Sequence, residues 1–521
     1  MIKHRTEIVD AAKDARRISQ LLDAHDEWLC AEGEARRSFA LRRGECEAQA
    51  EGNRLLFSYW GEQGARVWRI LGWEREDDDK LVFKLARRMN AELTTFRLVP
   101  RASPLAQGQI VQTARRAFCD SLAALACQTL GADKNLQIER VALSRGRRRG
   151  EPGRYARIQL RHKNDSILLT APVVELHRAE ADAFLSSSLL WFFRGIKPRP
   201  STKLYLAAAR EMAEAINERC ALLRDDLRNA IGVLELDDAC SSLTVLPGIR
   251  LPELLRAAPK LLRPPSAQWG EWANQMIGLA PEAIDVVRAR RGETLRFHGL
   301  AFARVRHVME KEFVWFGIRG ITANRLLDEN NFSDLLKLID ELKEHRRADA
   351  NDHAHALYRA APEAWLESLL RRSITVLDPG LVLSPLHAQF RLAPAEQGKG
   401  ERATTTTARP VDLLALRRDG RLVLVELKVS EDASLPVQAA DYWRRVEAQR
   451  QSGNLRRIRL FDEKIILDEP PLVYAVAPTL RFHRQFATLA RSISPQIELY
   501  RFDINEDWRK GVRVMRRIRV D

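Results

Sequence analysis

The run from Pro410 to Tyr442, PVDLLALRRDGRLVLVELKVSEDASLPVQAADY, constrains this chain more than any other segment. Two short runs rich in Val and Leu, VDLLAL and RLVLVELKV, are separated by the polar turn RRDG, which predicts a β-hairpin. On the second strand Val423, Val425, Leu427 and Val429 form one apolar face, and Leu422 and Leu424 make the other face apolar as well. Such a strand is buried on both sides. Glu426 and Lys428 at its end are therefore costly unless they are paired or bound to something.

Side chains alternate along a strand, so Glu426 and Lys428 point the same way and the hairpin brings Asp412 beside them. Two carboxylates this close repel unless a cation lies between them. Hard oxygen ligands with room for water suit Mg2+, or Mn2+ in its place. Gln438 and Tyr442 follow four residues apart on one face of a helix, a spacing that core packing also favours for Tyr.

This pattern resembles the PD-(D/E)XK nuclease superfamily, and the Gln438, Tyr442 pair is similar to its RecB-like branch and to DUF91 (NucS-type) endonuclease domains. Pro410 and Asp412 match the "PD" element with Val411 inserted, Glu426-Leu427-Lys428 match "(D/E)XK", and Gln438 and Tyr442 match the QxxxY helix. Upstream, PEAWLESLL (362–370) is similar to the first family helix, with Glu367 preferred to Glu363 because it follows Leu366 as in the family's "LE". The resemblance implies an αβββαβ core over the last third of the chain, from near His353 to Asp521. It implies that Asp412, Glu426 and the Leu427 carbonyl hold the metal, that Glu367 adds a ligand directly or through water, and that Lys428 orients the attacking water. Gln438 would bond to the metal water or the scissile phosphate, and Tyr442 would support that face.

The expected activity is Mg2+-dependent hydrolysis of DNA phosphodiesters, as an endonuclease in repair or phage defence. The competing expectation is a nuclease-fold protein that binds nucleic acid or acts as a scaffold without cutting. Charge favours a polyanionic partner in either case, since 85 Lys and Arg against 70 Asp and Glu leave a net charge of +15. Sequence does not separate DNA from RNA. No G-x-x-x-x-G-K-[ST] pattern occurs, which argues against ATP-driven motion.

At 521 residues the chain exceeds one ordinary core and predicts two to four domains. No apolar run approaches the ~20 residues that span a bilayer, and the first residues lack the apolar stretch of a secretion signal, so the expected site is cytoplasmic. The six cysteines show no C-x-x-C spacing and are expected to be reduced rather than zinc-bound.

The expected class is mixed α/β in four segments. Residues 1–104 read as one or two polar helices followed by a small β-rich module with strands at 55–61, 66–73 and 80–88. Residues 105–257 read as an α/β domain in the same element order as the C-terminal region, either an inactive nuclease-like repeat with Thr170, Ala171 or Pro172 where the acid and Lys should fall, or an unrelated α/β domain that shares this common alternation. Residues 258–350 read as a linker, a hairpin and a helix capped by Ser333, and residues 351–521 as the nuclease domain. Two basic loops are expected to touch nucleic acid: Arg145, Arg147, Arg148, Arg149 and Arg154 at one hairpin tip, and Lys399, Arg402 and Arg409 before the Asp412 strand. The N-terminal half is a candidate docking module for a partner protein, and a homodimer would fit a need to cut two strands.

Overall fold

A computed structural model of the chain describes residues 4–6, 10–32, 37–61, 64–76, 80–87, 91–101, 104–131, 135–144, 146, 153–163, 165–195, 202–237, 239–256, 258, 270–289, 292–308, 311–383, 411–462 and 464–520. It is a mixed α and β protein, with four sheets among the described residues. The chain divides into two compact units, one of Met1–Arg178, Phe192–Asn217 and Asn229–Gly248, the other of Ala179–Trp191, Glu218–Arg228 and Ile249–Asp521. Among the described residues no helix is long and apolar enough to cross a membrane. All six cysteines are free thiols.

The first unit opens with an eight-stranded antiparallel sheet against the helix Ala11–Leu22. That helix buries Ala11, Ala15, Ile18 and Leu22 on one face, against Trp28, Phe57, Trp73 and Phe83 of the strands. Among the described residues before 102 this is the one helix. Glu27–Glu32, Arg37–Arg42 and Cys46–Glu51, expected to be helical or left unassigned, are strands instead. Cross-strand pairing of Cys30 with both Phe39 and Leu98 outweighs the helical preference of their Glu- and Arg-rich sequence.

The second sheet of this unit is preceded by helix α1 (Pro104–Leu130). Its strands are β1 (Gln137–Leu143), β2 (Tyr155–His162), β3 (Asp165–Pro172), β4 (Lys203–Ala209), β5 (Ile231–Leu236) and β6 (Leu243–Val245), lying side by side in chain order. Helix α2 (Ala181–Gly195) connects β3 to β4, and α3 (Arg210–Cys220) follows β4. The β1, β2 and β3 meander is antiparallel, β3 to β4 and β4 to β5 are parallel, and β6 returns antiparallel.

In the second unit a five-stranded antiparallel sheet (284–326) packs with the helix Phe332–His345 through Leu335, Leu338, Ile339 and Leu342. The cap position of that helix is Asn331 rather than Ser333, and no side chain caps it. Next come helix α4 (Pro362–Arg372) and the strands β7 (Leu381–Leu383), β8 (Leu413–Arg417) and β9 (Leu422–Leu427). Helix α5 (Leu435–Gln451) leads to β10 (Leu472–Pro478), β11 (Leu499–Ile504) and β12 (Val514–Val520). The helix expected over 481–493 is shorter, Phe486–Ala490.

This last sheet repeats the pairing of the second one strand for strand: two antiparallel pairs, two parallel pairs, then an antiparallel edge. The faces agree too. Tyr205 pairs with Leu169, and Tyr474 pairs with Val425. From that anchor Ile158, Leu160, Leu169, Ala171, Ala207, Leu234 and Leu236 occupy one apolar cluster. Leu413, Ala415, Val425, Leu427, Val476, Phe502 and Ile504 take the same register positions in another.

Candidate functional site

The two-sided burial of β9 is complete: every residue from Leu422 to Leu427 is buried. Leu413 pairs with Val425, so Asp412, one residue before β8, stands opposite Glu426. Asp412 Oδ2 accepts a hydrogen bond from the Leu427 amide at 2.8 Å, which fixes the end of the hairpin. Lys428 Nζ donates to Glu426 Oε1 at 3.1 Å, while Glu426 Oε2 is buried with no hydrogen-bond partner. A buried carboxylate oxygen left unsatisfied carries a full desolvation cost.

The electrostatics of the pair follow from this crowding. Burial, then the neighbouring Glu367, push the Asp412 carboxyl up to about 7, against the Leu427 amide and Lys428. Burial and the charge of Asp412 push Glu426 well above the usual carboxylate range. The two titrate as a pair that keeps a proton near neutral pH. Burial alone would lower the Lys428 ammonium, but Glu426, Glu363 and Asp412 together hold it above its ordinary value.

Helix α4 supplies the other two acids. Pro362 opens it, after Ala361 in the left-handed region at φ 40°. The five-stranded sheet approaches it through Gly299, where a Cβ would lie 1.9 Å from the Ala364 carbonyl oxygen, so only glycine fits. Glu367 is already engaged: Arg371 lies at 2.8 Å and Arg296 at 3.4 Å from its carboxylate. Arg371 Nη2 also donates to the Asp412 carbonyl at 3.3 Å. Glu363, passed over in the sequence, is half-buried, and its charge acts on Asp412, Glu426 and Lys428. One helical turn apart, the two acids share a helix face, and the arginine partners of Glu367 distinguish them.

Gln438 and Tyr442 are buried on α5, with Gln438 Nε2 donating to Tyr442 Oη at 3.2 Å. Burial, then the nearby Glu426, raise the Tyr442 hydroxyl above its ordinary value, so this pair borders the acids. Trp443 packs, its indole N–H donating to the Pro471 carbonyl at 2.9 Å. Between the pair lies Asp441, buried and held by Arg444 at 2.6 Å, Arg219 at 3.2 Å and Arg445. Burial would raise that carboxyl, but the three guanidinium groups hold it far below the usual range. Arg219 also binds Asp182 at 3.0 Å and Glu218 at 3.3 Å. This clamp was not foreseen; an Asp within an Arg-rich helix reads as an exposed face.

A cavity of about 910 Å3 opens over the acids, lined among others by Glu363, Glu367, Asp412, Arg359, Arg481 and Arg509. Among the described residues no group of three or more His, Cys, Asp and Glu side chains could hold a metal ion by itself. The ligand set offered is a carboxylate pair, Asp412 and Glu426, with an orphaned oxygen and mutual repulsion that a cation would relieve. That fits Mg2+, which keeps several waters and takes one or two carboxylates.

In the second sheet the register places Thr170 where Glu426 lies, Pro172 where Lys428 lies and Arg157 where Asp412 lies. Arg157 Nη1 donates to Thr170 Oγ1 at 3.2 Å, and Thr170 Oγ1 donates to the Ala156 carbonyl at 2.8 Å. Burial lowers the Arg157 guanidinium to about 10. Arg145, Arg147, Arg148, Arg149, Lys399, Arg402 and Arg409 lie outside the described residues, as does most of the expected linker; Arg154 is half-buried beside β2. No family model matches the chain, and no curated protein or solved structure does.

Proposed function

We propose that the C-terminal sheet and its helices form a Mg2+-dependent phosphodiesterase of the PD-(D/E)XK type acting on DNA in the cytoplasm. The observation that carries this reading is the buried Asp412, Glu426 pair, with one oxygen orphaned and Lys428 beside it, where Asp412 lines an open cavity. Asp412 and Glu426 would hold the ion, with the Leu427 carbonyl and, through water, Glu363 or Glu367. When bound, the ion supplies Lewis-acid polarisation of the phosphate and a more acidic water.

The chain's own groups do the rest. Lys428, anchored on Glu426, presents its remaining N–H donors to the attacking water and to the negative charge that grows on the phosphate. Gln438, aligned by Tyr442, offers amide donors on the side facing α5. Glu367 anchors Arg371, which donates to the Asp412 carbonyl beside β8, and its salt bridge to Arg296 ties α4 to the five-stranded sheet, so that Glu363 stays at the cavity wall. Arg157 and Thr170 support a non-catalytic role for the second sheet, because a guanidinium there replaces a carboxylate and repels a divalent cation.

The test is purified full-length protein with Mg2+ or Mn2+ against single-stranded, duplex, flap and RNA substrates. Cleavage that needs the metal and disappears in Lys428→Ala is expected. Metal-dependent cleavage persisting in Lys428→Ala and Glu426→Ala would remove the assignment.

A further inference from the structure

We infer that Arg509 is a phosphate-binding residue of the cavity, seating a phosphodiester group of a nucleic-acid strand; this rests on the nuclease reading of the neighbouring acids. Arg509 lies in the one-turn 3-10 segment Trp508–Lys510 and lines the same cavity as Asp412 and Glu363. Its guanidinium carbon stands 4.4 Å from the Trp508 ring centre, 4.7 Å from that of Tyr358 and 5.0 Å from that of Trp365. Three rings fix the plane of the group. They attract its charge without neutralising it.

No acid answers that charge. Among the described residues Arg509 has no carboxylate partner, and its Nε is buried with no hydrogen-bond partner. A second guanidinium, Arg346, lies 4.7 Å from the centre of the same Trp365 ring. Arg346 is fully buried and spends its N–H groups on the carbonyls of Phe297, His298, Leu357, Ala360 and Ala361. It therefore fixes the turn before α4 and adds positive charge behind Arg509. Arg359 on that turn is exposed at the cavity and has no acidic partner among the described residues.

Two cations around one indole, with an orphaned N–H, form a site short of an anion. A phosphate oxygen pair matches a planar guanidinium in two parallel hydrogen bonds. The strand whose backbone meets Arg509 would lie in the cavity that also holds the acids.

The experiment measures binding of a fluorescein-labelled single-stranded oligodeoxynucleotide to the full chain by anisotropy in EDTA, across a salt series. Without metal nothing is cut, so the result stands whether or not the wild type proves to be a nuclease. Arg509→Gln should raise Kd about tenfold and reduce the salt slope by about one. Arg509→Lys, which keeps the charge, should fall between Gln and wild type. Unchanged Kd and slope in Arg509→Gln would overturn the inference. On wild-type protein, independent of any variant's folding, the oligonucleotide should protect Arg509 from phenylglyoxal, read by peptide mass spectrometry. Equal modification with and without it would also overturn the inference. Protection by inorganic phosphate at the same phosphate concentration would instead assign a free-phosphate site and reject the strand.

Discussion

The sheets β1–β6 and β7–β12 share strand order, pairing and apolar faces, yet differ in what they place at one corner. One puts Asp412, Glu426 and Lys428 there; the other puts Arg157, Thr170 and Pro172. The scaffold tolerates both because the apolar register positions the two sheets share bury a core whichever residues stand at that corner. The corner is therefore free to carry chemistry. In β7–β12 it carries a strained acid pair, and in β1–β6 a satisfied hydrogen bond.

The largest expected effect separates the two corners directly. Glu426→Gln should lower Mg2+-dependent cleavage by about 10^3-fold or more, whereas Thr170→Val should leave it within a factor of two. Comparable losses from both would break the comparison. Next comes the clamp behind the Gln438, Tyr442 helix. Arg219→Ala leaves Asp441 and Asp182 short of a buried partner and should cost about 3–5 kcal/mol in denaturant unfolding. A cost below about 1 kcal/mol would show that Arg444 and Arg445 suffice.

A smaller effect is written in pH. The Asp412 carboxyl is held up to about 7 in the folded chain, above its unfolded value, so the native state keeps a proton that the unfolded chain has released. Metal-free stability should then fall as the pH rises from about 4 to 7. Asp412→Asn, which cannot ionise, should gain on the wild type above pH 7 by on the order of 2–4 kcal/mol. Thr170→Val, losing two buried hydrogen bonds, should cost about 1–3 kcal/mol with no dependence over that range. Melting curves from pH 4 to 8 check both.

The hairpin and the parallel strand Leu472–Pro478 were legible because short apolar runs stand between polar turns. The acids were legible because charge on a strand apolar on both faces demands a reason. The partner of Arg157 was not: the turns of the two hairpins differ, and only the observed pairing aligns Arg157 with Asp412. The sequence ranks Glu367 above Glu363 on its neighbour Leu366 alone, and says nothing of Arg296, 71 residues upstream, which engages the Glu367 carboxylate. Strands such as Glu27–Glu32 were hidden because their Glu and Arg content satisfies helical preference as well as a half-exposed sheet.

Whether Asp412 and Glu426 form a site for a divalent cation is decided by Mn2+ binding. Isothermal titration of the full chain at pH 7 in two buffers of different ionisation enthalpy measures stoichiometry and proton release together. One Mn2+ per chain is expected, with a proton released from the acid pair, and loss of binding in both Asp412→Asn and Glu426→Gln. Binding that survives both substitutions, or no binding in the wild type, would contradict that site.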